Sequence, residues 1–186
     1  MLILASKSPR RQELMRLITD DFIVATMETD ESIEENTPPQ DTVRILAQRK
    51  AADVAKSHPD DTVIGADTLV YINGETLSKP RDEADAFRMI KLLSGNAHSV
   101  FTGVCIHMPG KTHTFAEKSR VYFYEHSDDE ILRYIAAGES MDKAGAYGIQ
   151  CKGALLVRRI EGDYFNVMGL PVARLYRVLR KYKILD

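Results

Sequence analysis

Residues 1–11 of the chain read MLILASKSPRR. The apolar run from Leu2 to Ala5 predicts a short buried strand. Ser8 and Pro9 then predict the start of a helix, with serine as the N-cap and proline at the first helical position. Apolar side chains at helical spacing follow at Leu14, Leu17 and Ile18. The stretch is therefore a strand–loop–helix junction.

Helical and extended patterns alternate along the rest of the chain. Helices are expected at 43–55, where the apolar residues share one face, and at 82–93, 127–138 and 171–182. Asp82 is the expected cap of the second of these helices, and Ser127 with Glu130 forms a capping box at the start of the third. Extended segments are expected at 22–27, 62–66, 68–72, 98–108, 112–124 and 153–160, with the segment 62–66 ending at Asp67. Turn signals at Asn73-Gly74 and Pro109-Gly110 add hairpins. We therefore predict an α/β fold with a mixed central sheet flanked by helices.

The composition is that of an ordinary globular chain. The 186 residues (20.9 kDa) are 44% hydrophobic and 28% charged, with a net charge of −2, so we expect one domain over residues 1–186. No broad basic field for a nucleic acid polymer is present, and no apolar stretch is long enough for a membrane span. Cys105 and Cys151 form no zinc or disulfide pattern, and the N-terminus resembles no signal peptide. We expect a cytoplasmic protein.

The junction after the first strand carries a candidate phosphate site. Ser6 and Ser8 supply hydroxyls, and Lys7, Arg10 and Arg11 supply cations, where the first N–H groups of a helix lack intrahelical partners. This combination suits phosphate oxygens. The alternative is a capped surface helix with solvated arginines, and the pattern leaves both open.

A second candidate is Asp67, a carboxylate with the small neighbours Gly65 and Ala66. Ligands of α/β proteins bind at the ends of strands, where small residues allow close approach. Asp67 could ligate Mg²⁺ or take a proton from an attacking water. The alternative is an aspartate that ends a strand and hydrogen-bonds a turn.

Three further charged pairs or clusters complete a set that suits phosphoanhydride hydrolysis, which needs cations for the leaving group and acids for a hard metal. They are Asp30-Glu31, Arg49-Lys50 and Lys79-Pro80-Arg81-Asp82. Each alone is typical of a solvated surface, and Asp82 also has the place of a helix cap.

The loop from Gly145 to Gln150 is a candidate base-binding segment. Its glycines allow close approach, and the Gln150 amide offers one donor and one acceptor to a base edge. The histidines show no zinc spacing, and no serine-hydrolase, P-loop or dinucleotide-binding motif occurs. Those enzyme classes are therefore not expected.

Taken together, these segments resemble the Maf family of nucleoside triphosphate pyrophosphatases. The matching stretches, in chain order, are ASKSPRR (5–11), DE (30–31), RKA (49–51), GADT (65–68), KPRD (79–82), LSG (93–95) with His98 and Thr102-Gly103, DKAGAYGIQ (142–150) and VMGLP (167–171). They cover nearly the whole chain. The resemblance implies an elongated mixed sheet, two lobes around a cleft and, commonly, a homodimer.

The dTTP/UTP pyrophosphatase branch of the family sets base preference with an arginine, a threonine and a glutamine, which correspond to Arg10, Thr68 and Gln150. The 7-methyl-GTP branch differs at all three positions. A neutral amide also suits the O4 and N3–H edge of uracil or thymine. One departure is Cys151, where the branch often has glycine; we expect the loop to tolerate it.

The resemblance implies that a nucleoside triphosphate and water give the monophosphate and pyrophosphate, in a housecleaning role with a link to cell-division arrest. Asp67 corresponds to the proton acceptor. Mg²⁺ or Mn²⁺ is the expected cofactor, with Glu31 and Asp67 as its ligands. Phosphate-binding roles fall to Ser6, Ser8, Arg11, Lys50 and Lys79. Alternatives are a nucleotide-sensing regulator of septum formation with little turnover, and a pyrophosphatase for 7-methyl-GTP or deaminated purines.

Overall fold

The computed structural model describes residues 1–185, which form six α-helices, seven β-strands and two 3-10 segments. The helices are α1 (Pro9–Arg16), α2 (Pro39–Ala55), α3 (Glu83–Leu93), α4 (Asp128–Ala136), α5 (Tyr164–Met168) and α6 (Val172–Lys181). The strands are β1 (Leu2–Ala5), β2 (Ile23–Val24), β3 (Thr62–Ile72), β4 (Glu75–Leu77), β5 (Ala97–Met108), β6 (Lys111–Phe123) and β7 (Val157–Glu161). The 3-10 segments are Ala144–Ala146 and Cys151–Leu156.

The strands form one mixed sheet in the order β2-β1-β3-β5-β6-β7, with β4 paired to β3. Strand β1 runs parallel to β2 and β3, whereas β4 is antiparallel to β3 and β7 is antiparallel to β6. Helices flank this sheet, so the predicted mixed α/β class is confirmed. No helix within residues 1–185 combines the length and the apolar character needed to cross a lipid bilayer.

The chain divides into two compact units. The first unit comprises residues 1–68, 102–117 and 169 onward, and the second comprises residues 69–101 and 118–168. Strands β3, β5 and β6 contribute residues to each unit. The expectation that residues 1–186 form one domain stays a prediction.

In the first unit, α2 packs on the sheet through small side chains. Its buried alanines Ala47 and Ala51 join Val54 in a cluster with Ile3 and Val63 from the strands. Successive side chains of a strand point to opposite faces, so one face of β1 and β3 meets α2. Because alanines project little, the helix backbone lies close to the strands.

The second unit has a core of its own between α3, α4 and the sheet. Leu77, Ile90 and Ile131 are fully buried there, and Phe123 and Tyr147 pack edge to face with ring centroids 4.7 Å apart. Both helices begin at the predicted caps. The Asp82 side chain accepts from the Asp85 N–H at 2.8 Å, which confirms its role as a cap, and Ser127 with Glu130 forms a capping box.

Three segments differ from their predicted form. The segments 62–66 and 68–72 are one strand, because hairpin pairing with β4 continues the ladder past Asp67. Of the segment 22–27, strand β2 comprises only Ile23 and Val24, and the Ala25 N–H adds one further hydrogen bond to the Leu4 carbonyl of β1. Residues 151–156 are 3-10 turns, so the last predicted strand begins at Val157. Burial at Gly153 and Leu156 with exposed residues between them has a period of three, which matches a 3-10 helix.

Burial of His98 makes an acid-sensitive contribution to stability. Burial lowers the pKa of His98 from 6.5 to about 3. The unfolded chain therefore binds a proton at this residue at mildly acidic pH, while the folded protein does not, and acidification favours unfolding. We expect this residue to lower the free energy of unfolding by up to about 1.4 kcal/mol per pH unit below about pH 6.

Urea unfolding of the wild type and of His98→Gln, compared between about pH 7 and about pH 5, measures this slope above the main titration range of carboxylates. The variant should lack the part of the slope that His98 contributes. Equal slopes in the two proteins would contradict the assignment.

Candidate active site

Asp67 lies where β1 stops and β3 continues. The last paired residue of β1 is Ala5, which lies opposite Gly65, so Asp67 is two residues beyond the end of the β1 ladder. The prediction that Asp67 ends its own strand is wrong, because it lies within β3. Its side chain is 15% exposed and is therefore close to the surface. The carboxylate emerges at the carboxyl edge of the parallel pair β1–β3.

The side of β3 that carries Asp67 faces helix α2. Gly65 and Asp67 are two residues apart and share one face of the strand. A Cβ atom on Gly65 would lie 2.3 Å from the Ala47 carbonyl oxygen and 2.7 Å from the Ala51 nitrogen. The helix therefore approaches the strand to a distance that only glycine allows, and it brings Lys50 beside Asp67.

Lys50 joins two carboxylates. Its Nζ lies 2.6 Å from Asp67 Oδ1 and 2.7 Å from Glu31 Oε1. The Glu31 side chain is 63% exposed, so this end of the arrangement is open to solvent. An ammonium between two carboxylates offsets their mutual repulsion and holds both near one point.

Arg49, which precedes Lys50 in α2, hydrogen-bonds the loop that carries Glu31. Arg49 Nη1 donates to the carbonyl oxygens of Asp30 and Ser32 at 3.0 and 2.5 Å. Hydrogen bonds from Ser32 to the Asp30 carboxylate lower the pKa of Asp30. The Asp30 carboxylate is thus hydrogen-bonded within its own turn. The Glu31 carboxylate instead contacts Lys50, which also contacts Asp67.

The Asp67 and Glu31 carboxylates have the chemistry of ligands for a divalent cation. Within residues 1–185, no three His, Cys, Asp or Glu side chains converge as an all-protein metal site. Mg²⁺ is commonly held by one or two carboxylates together with substrate phosphates and water, and it requires oxygen ligands. Two carboxylates on one ammonium offer such a set, and the ammonium shows that the position already accommodates positive charge.

Arg11 is fixed on the other side of β3. Its Nη2 donates to Thr68 Oγ1 at 2.9 Å, its Nε donates to the Gly169 carbonyl at 2.8 Å, and its Nη1 donates to Ser6 Oγ at 3.4 Å. Burial lowers the pKa of Arg11, and the negative charge of Asp67 acts in the opposite direction. An arginine remains protonated in proteins, so Arg11 is a fixed cation within electrostatic reach of Asp67.

The hydroxyls of the first loop orient the start of α1. Ser8 Oγ accepts from the Arg11 N–H at 3.4 Å and caps the helix, as predicted, while buried Ser6 accepts from the Ser8 N–H at 3.3 Å. Each serine keeps its own O–H as a donor. Burial is the main cause of the lowered pKa of Arg11, and the charge of Arg10 acts in the same direction, so the two guanidinium groups interact. The phosphate-binding and base-selecting roles of these residues stay predictions.

Thr68 is tied to a residue that the sequence analysis did not assign to the site. Its Oγ1 lies 2.9 Å from Thr102 Oγ1, in addition to the bond from Arg11. Thr102 is fully buried. The sequence signal that could have pointed to Thr102 was its place in Thr102-Gly103, one of the stretches that carry the family resemblance. The contact fixes the side chain next to Asp67.

Two predicted site residues, Lys79 and Gln150, belong to the second unit. Lys79 is exposed, and Gln150 is half-buried. The backbone connects their segments, because the Gly145 N–H donates to the Ser78 carbonyl at 3.1 Å. Cys151, after Gln150, has a φ of +53°, a left-handed conformation that glycine adopts more easily. The loop therefore holds a cysteine in a backbone conformation that suits glycine.

Comparison with known proteins identifies the family. The family model described as "Maf-like protein" matches residues 1–182. A Geobacillus sp. (strain WCH70) protein named "dTTP/UTP pyrophosphatase" is 49% identical over 180 residues, which are 97% of this chain and 97% of that protein. A Bacillus velezensis protein of the same name is 47% identical over 183 residues, 98% of this chain and 97% of the relative.

A solved structure shares the fold at much lower similarity. The HAM1 protein from Coxiella burnetii matches with a TM-score of 0.50 and 14% identity, over 97% of this chain and 98% of that one. The family model and the two relatives extend over nearly the whole chain, including Asp67, Lys50 and Arg11. This chain belongs to the Maf family.

Proposed function

We propose that this protein is a nucleoside triphosphate pyrophosphatase that hydrolyses dTTP and UTP to the monophosphate and pyrophosphate. One observation carries the proposal: the Asp67 carboxylate is joined to Glu31 through Lys50 and lies within electrostatic reach of Arg11. Phosphoryl transfer needs this combination of a base, cations and carboxylates. The curated relatives described above bear the name dTTP/UTP pyrophosphatase.

In the proposed reaction, a water oxygen forms a bond to the α-phosphorus as the bond from that phosphorus to the α,β-bridging oxygen breaks. Asp67 accepts the water proton, and the bridging oxygen leaves with pyrophosphate. Lys50 and Arg11, together with Lys79, offset the charge of the leaving group, and the hydroxyls of Ser6 and Ser8 donate to phosphate oxygens.

Asp67 and Glu31 are the residues that would hold Mg²⁺ or Mn²⁺. When bound, such a cation supplies charge neutralisation at the phosphate oxygens. Lys50 then has a second role, because its ammonium keeps the two carboxylates together in the absence of the cation.

For base selection we propose the three residues that the family resemblance assigns, Arg10, Thr68 and Gln150. The Gln150 amide can accept from N3–H and donate to O4 of uracil or thymine. Thr68 is held by Arg11 and Thr102 in a fixed orientation. We also propose a cytoplasmic location, which suits the free cysteines Cys105 and Cys151. The homodimer stays a prediction.

The experiment is a substrate panel. The purified chain is incubated with Mg²⁺ or Mn²⁺ and, separately, dTTP, UTP, CTP, 7-methyl-GTP and ITP, and chromatography separates the products. We expect monophosphate and pyrophosphate from dTTP and UTP, with the highest kcat/KM for these two. Omission of the metal should abolish turnover.

The alternatives make different predictions in the same panel. A nucleotide-sensing regulator would bind UTP without forming UMP above the no-enzyme control. A 7-methyl-GTP pyrophosphatase, or one for deaminated purines, would prefer the fourth or fifth substrate. Either result would overturn the assignment to dTTP and UTP.

A further inference from the structure

Two adjacent cations of α2, Arg49 and Lys50, have different partners. Lys50 contacts the carboxylates of Glu31 and Asp67, whereas the Arg49 guanidinium contacts backbone carbonyl groups of the loop that carries Glu31. Successive side chains of an α-helix diverge by about 100°, so the two residues leave the helix in different directions. Arg49 therefore meets the loop, while Lys50 reaches the two carboxylates.

Arg49 holds the loop on both sides of Glu31. Its Nη1 donates to the Asp30 carbonyl oxygen at 3.0 Å and to the Ser32 carbonyl oxygen at 2.5 Å. A guanidinium is planar, so its N–H donors have fixed directions and impose a geometry on their acceptors. The residues immediately before and after Glu31 are therefore tied to a single group of α2.

Two further contacts restrain the same stretch of the loop. The Asp30 carboxylate accepts from the Ser32 N–H at 2.9 Å and from the Ser32 hydroxyl at 2.8 Å, which closes a local turn. The Thr29 side chain is hydrogen-bonded to Asp53, which lies one helical turn beyond Arg49 on the same face of α2. Both ends of this four-residue stretch are therefore bound to α2.

The anchored backbone matters because Glu31 has a long and exposed side chain. A glutamate on a freely moving loop would distribute its carboxylate over many positions, and fixing it at a ligand would cost conformational entropy. Here Arg49 fixes the backbone end of the residue. Lys50 fixes the carboxylate end, because its Nζ lies 2.7 Å from Glu31 Oε1 and 2.6 Å from Asp67 Oδ1. Both ends of Glu31 are therefore held, and its carboxylate stays beside that of Asp67.

We propose that Arg49 is a positioning residue, which fixes the loop backbone around Glu31 and so holds its carboxylate where it and Asp67 would ligate a divalent cation. This inference rests on the proposed function, in which these two carboxylates hold Mg²⁺ or Mn²⁺. Arg49 touches neither the cation nor the nucleotide in this role. Loss of a group that orients a metal ligand typically lowers metal affinity or activity by about 10- to 100-fold.

The test is Arg49→Met, which removes the donors and keeps a long side chain that favours a helix. Mn²⁺ is titrated into the protein alone, and electron paramagnetic resonance measures the bound fraction without turnover. The dissociation constant should rise about tenfold. In UTP hydrolysis, the Mn²⁺ concentration for half-maximal rate should rise in parallel, with kcat at saturating Mn²⁺ within about threefold of wild type.

The direction of the change separates positioning from simple electrostatics. Removal of a positive charge near a cation site would by itself strengthen Mn²⁺ binding, since like charges repel. Positioning predicts weaker binding instead. Arg49→Lys keeps the charge and donors on a more flexible stem, so its dissociation constant should lie between those of wild type and Arg49→Met.

Arg44→Met is the matched control. Arg44 is a second arginine of α2 with nearly the same exposure as Arg49, 40% against 38%, and it pairs with Asp41 at 3.4 Å. Its loss should leave the Mn²⁺ dissociation constant within about twofold of wild type, as is usual for surface substitutions. An equal weakening in the Arg44 and Arg49 variants would contradict a specific role of Arg49.

A double-mutant comparison tests whether Arg49 acts through Glu31. In a Glu31→Gln background the carboxylate is absent, so Arg49→Met should change the Mn²⁺ dissociation constant by less than about twofold. A tenfold change in both backgrounds would show that Arg49 acts independently of Glu31, and the inference would be wrong.

Two further measurements complete the test. Backbone amides of residues 29–33 should exchange their hydrogens faster in Arg49→Met, with a melting temperature within about 2 °C of wild type, because the substitution loosens the loop and leaves the core intact. A wild-type chain that forms no UMP would overturn the proposed hydrolysis, and the Mn²⁺ titration would still report on Arg49. Unchanged or tighter Mn²⁺ binding in Arg49→Met, or a wild type that binds no Mn²⁺, would overturn its positioning role.

Discussion

Asp67→Asn should lower the rate of pyrophosphate release from UTP by a factor of about 10³, within the range of general-base contributions. Asparagine has nearly the size and shape of aspartate but accepts no proton from water. Lys50 keeps Glu31 as a partner at 2.7 Å, so the arrangement around the substituted residue should persist. We expect the loss in kcat, with UTP binding still measurable by calorimetry.

The matched control for this variant is Asp41→Asn. Asp41 is an exposed acid in the first turn of α2, paired with Arg44 at 3.4 Å, and its loss should leave turnover within about twofold, as is usual for surface substitutions. Turnover close to wild type in Asp67→Asn would remove Asp67 from the role of base. An equal loss of turnover in both variants would indicate a general effect of the removed negative charge.

Gly65→Ala should destabilise the protein by about 3 kcal/mol or more, because the added methyl group meets backbone atoms and not a flexible side chain. The new Cβ would lie 2.3 Å from the Ala47 carbonyl oxygen and 2.7 Å from the Ala51 nitrogen. Helix α2 must therefore move away from β3. Lys50 precedes Ala51, so the same movement should separate its ammonium from Asp67 and lower activity in the molecules that still fold.

Thermal unfolding followed by circular dichroism measures this effect, and we expect the melting temperature to fall by about 10 °C for a chain of this length. Gly110→Asn is the control: it changes a glycine of the β5–β6 turn where an added Cβ meets no atom within 4 Å and where φ is +71°, a value that asparagine tolerates. A melting temperature for Gly65→Ala within about 2 °C of wild type would contradict the close approach of α2, since overpacking is costly.

Elements whose signals are local agree with their predictions. The Ser8 cap, the Asp82 cap and the Ser127–Glu130 capping box each depend on a side chain and a backbone group within three residues, and each is present. The Asn73-Gly74 turn likewise joins β3 to β4, with positive φ at both residues. Interactions this short in sequence are specified by the residues themselves.

Elements that depend on distant partners were predicted less well. The end of β3 was placed at Asp67 because the apolar run stops there, yet pairing with β4 carries the strand to Ile72. A strand was predicted over residues 153–160, but burial every third residue makes its first part belong to the 3-10 segment 151–156. Which face of such a segment is buried depends on what packs against it.

The residue types and their order indicated a phosphate site in an α/β fold, and the resemblance to the Maf family supplied the roles expected of the base, the cations, the hydroxyls and the amide. Their pairing could not be read in the same way. Lys50 contacts Asp67 across 17 positions and Arg11 contacts Thr68 across 57, and both contacts exist because folding brings α2 and α1 against β3. The bridge that Lys50 forms between Glu31 and Asp67 therefore depends on the close packing of α2 against β3 at Gly65. A distance between side chains so far apart in the chain is a property of packed backbones and not of any local pattern.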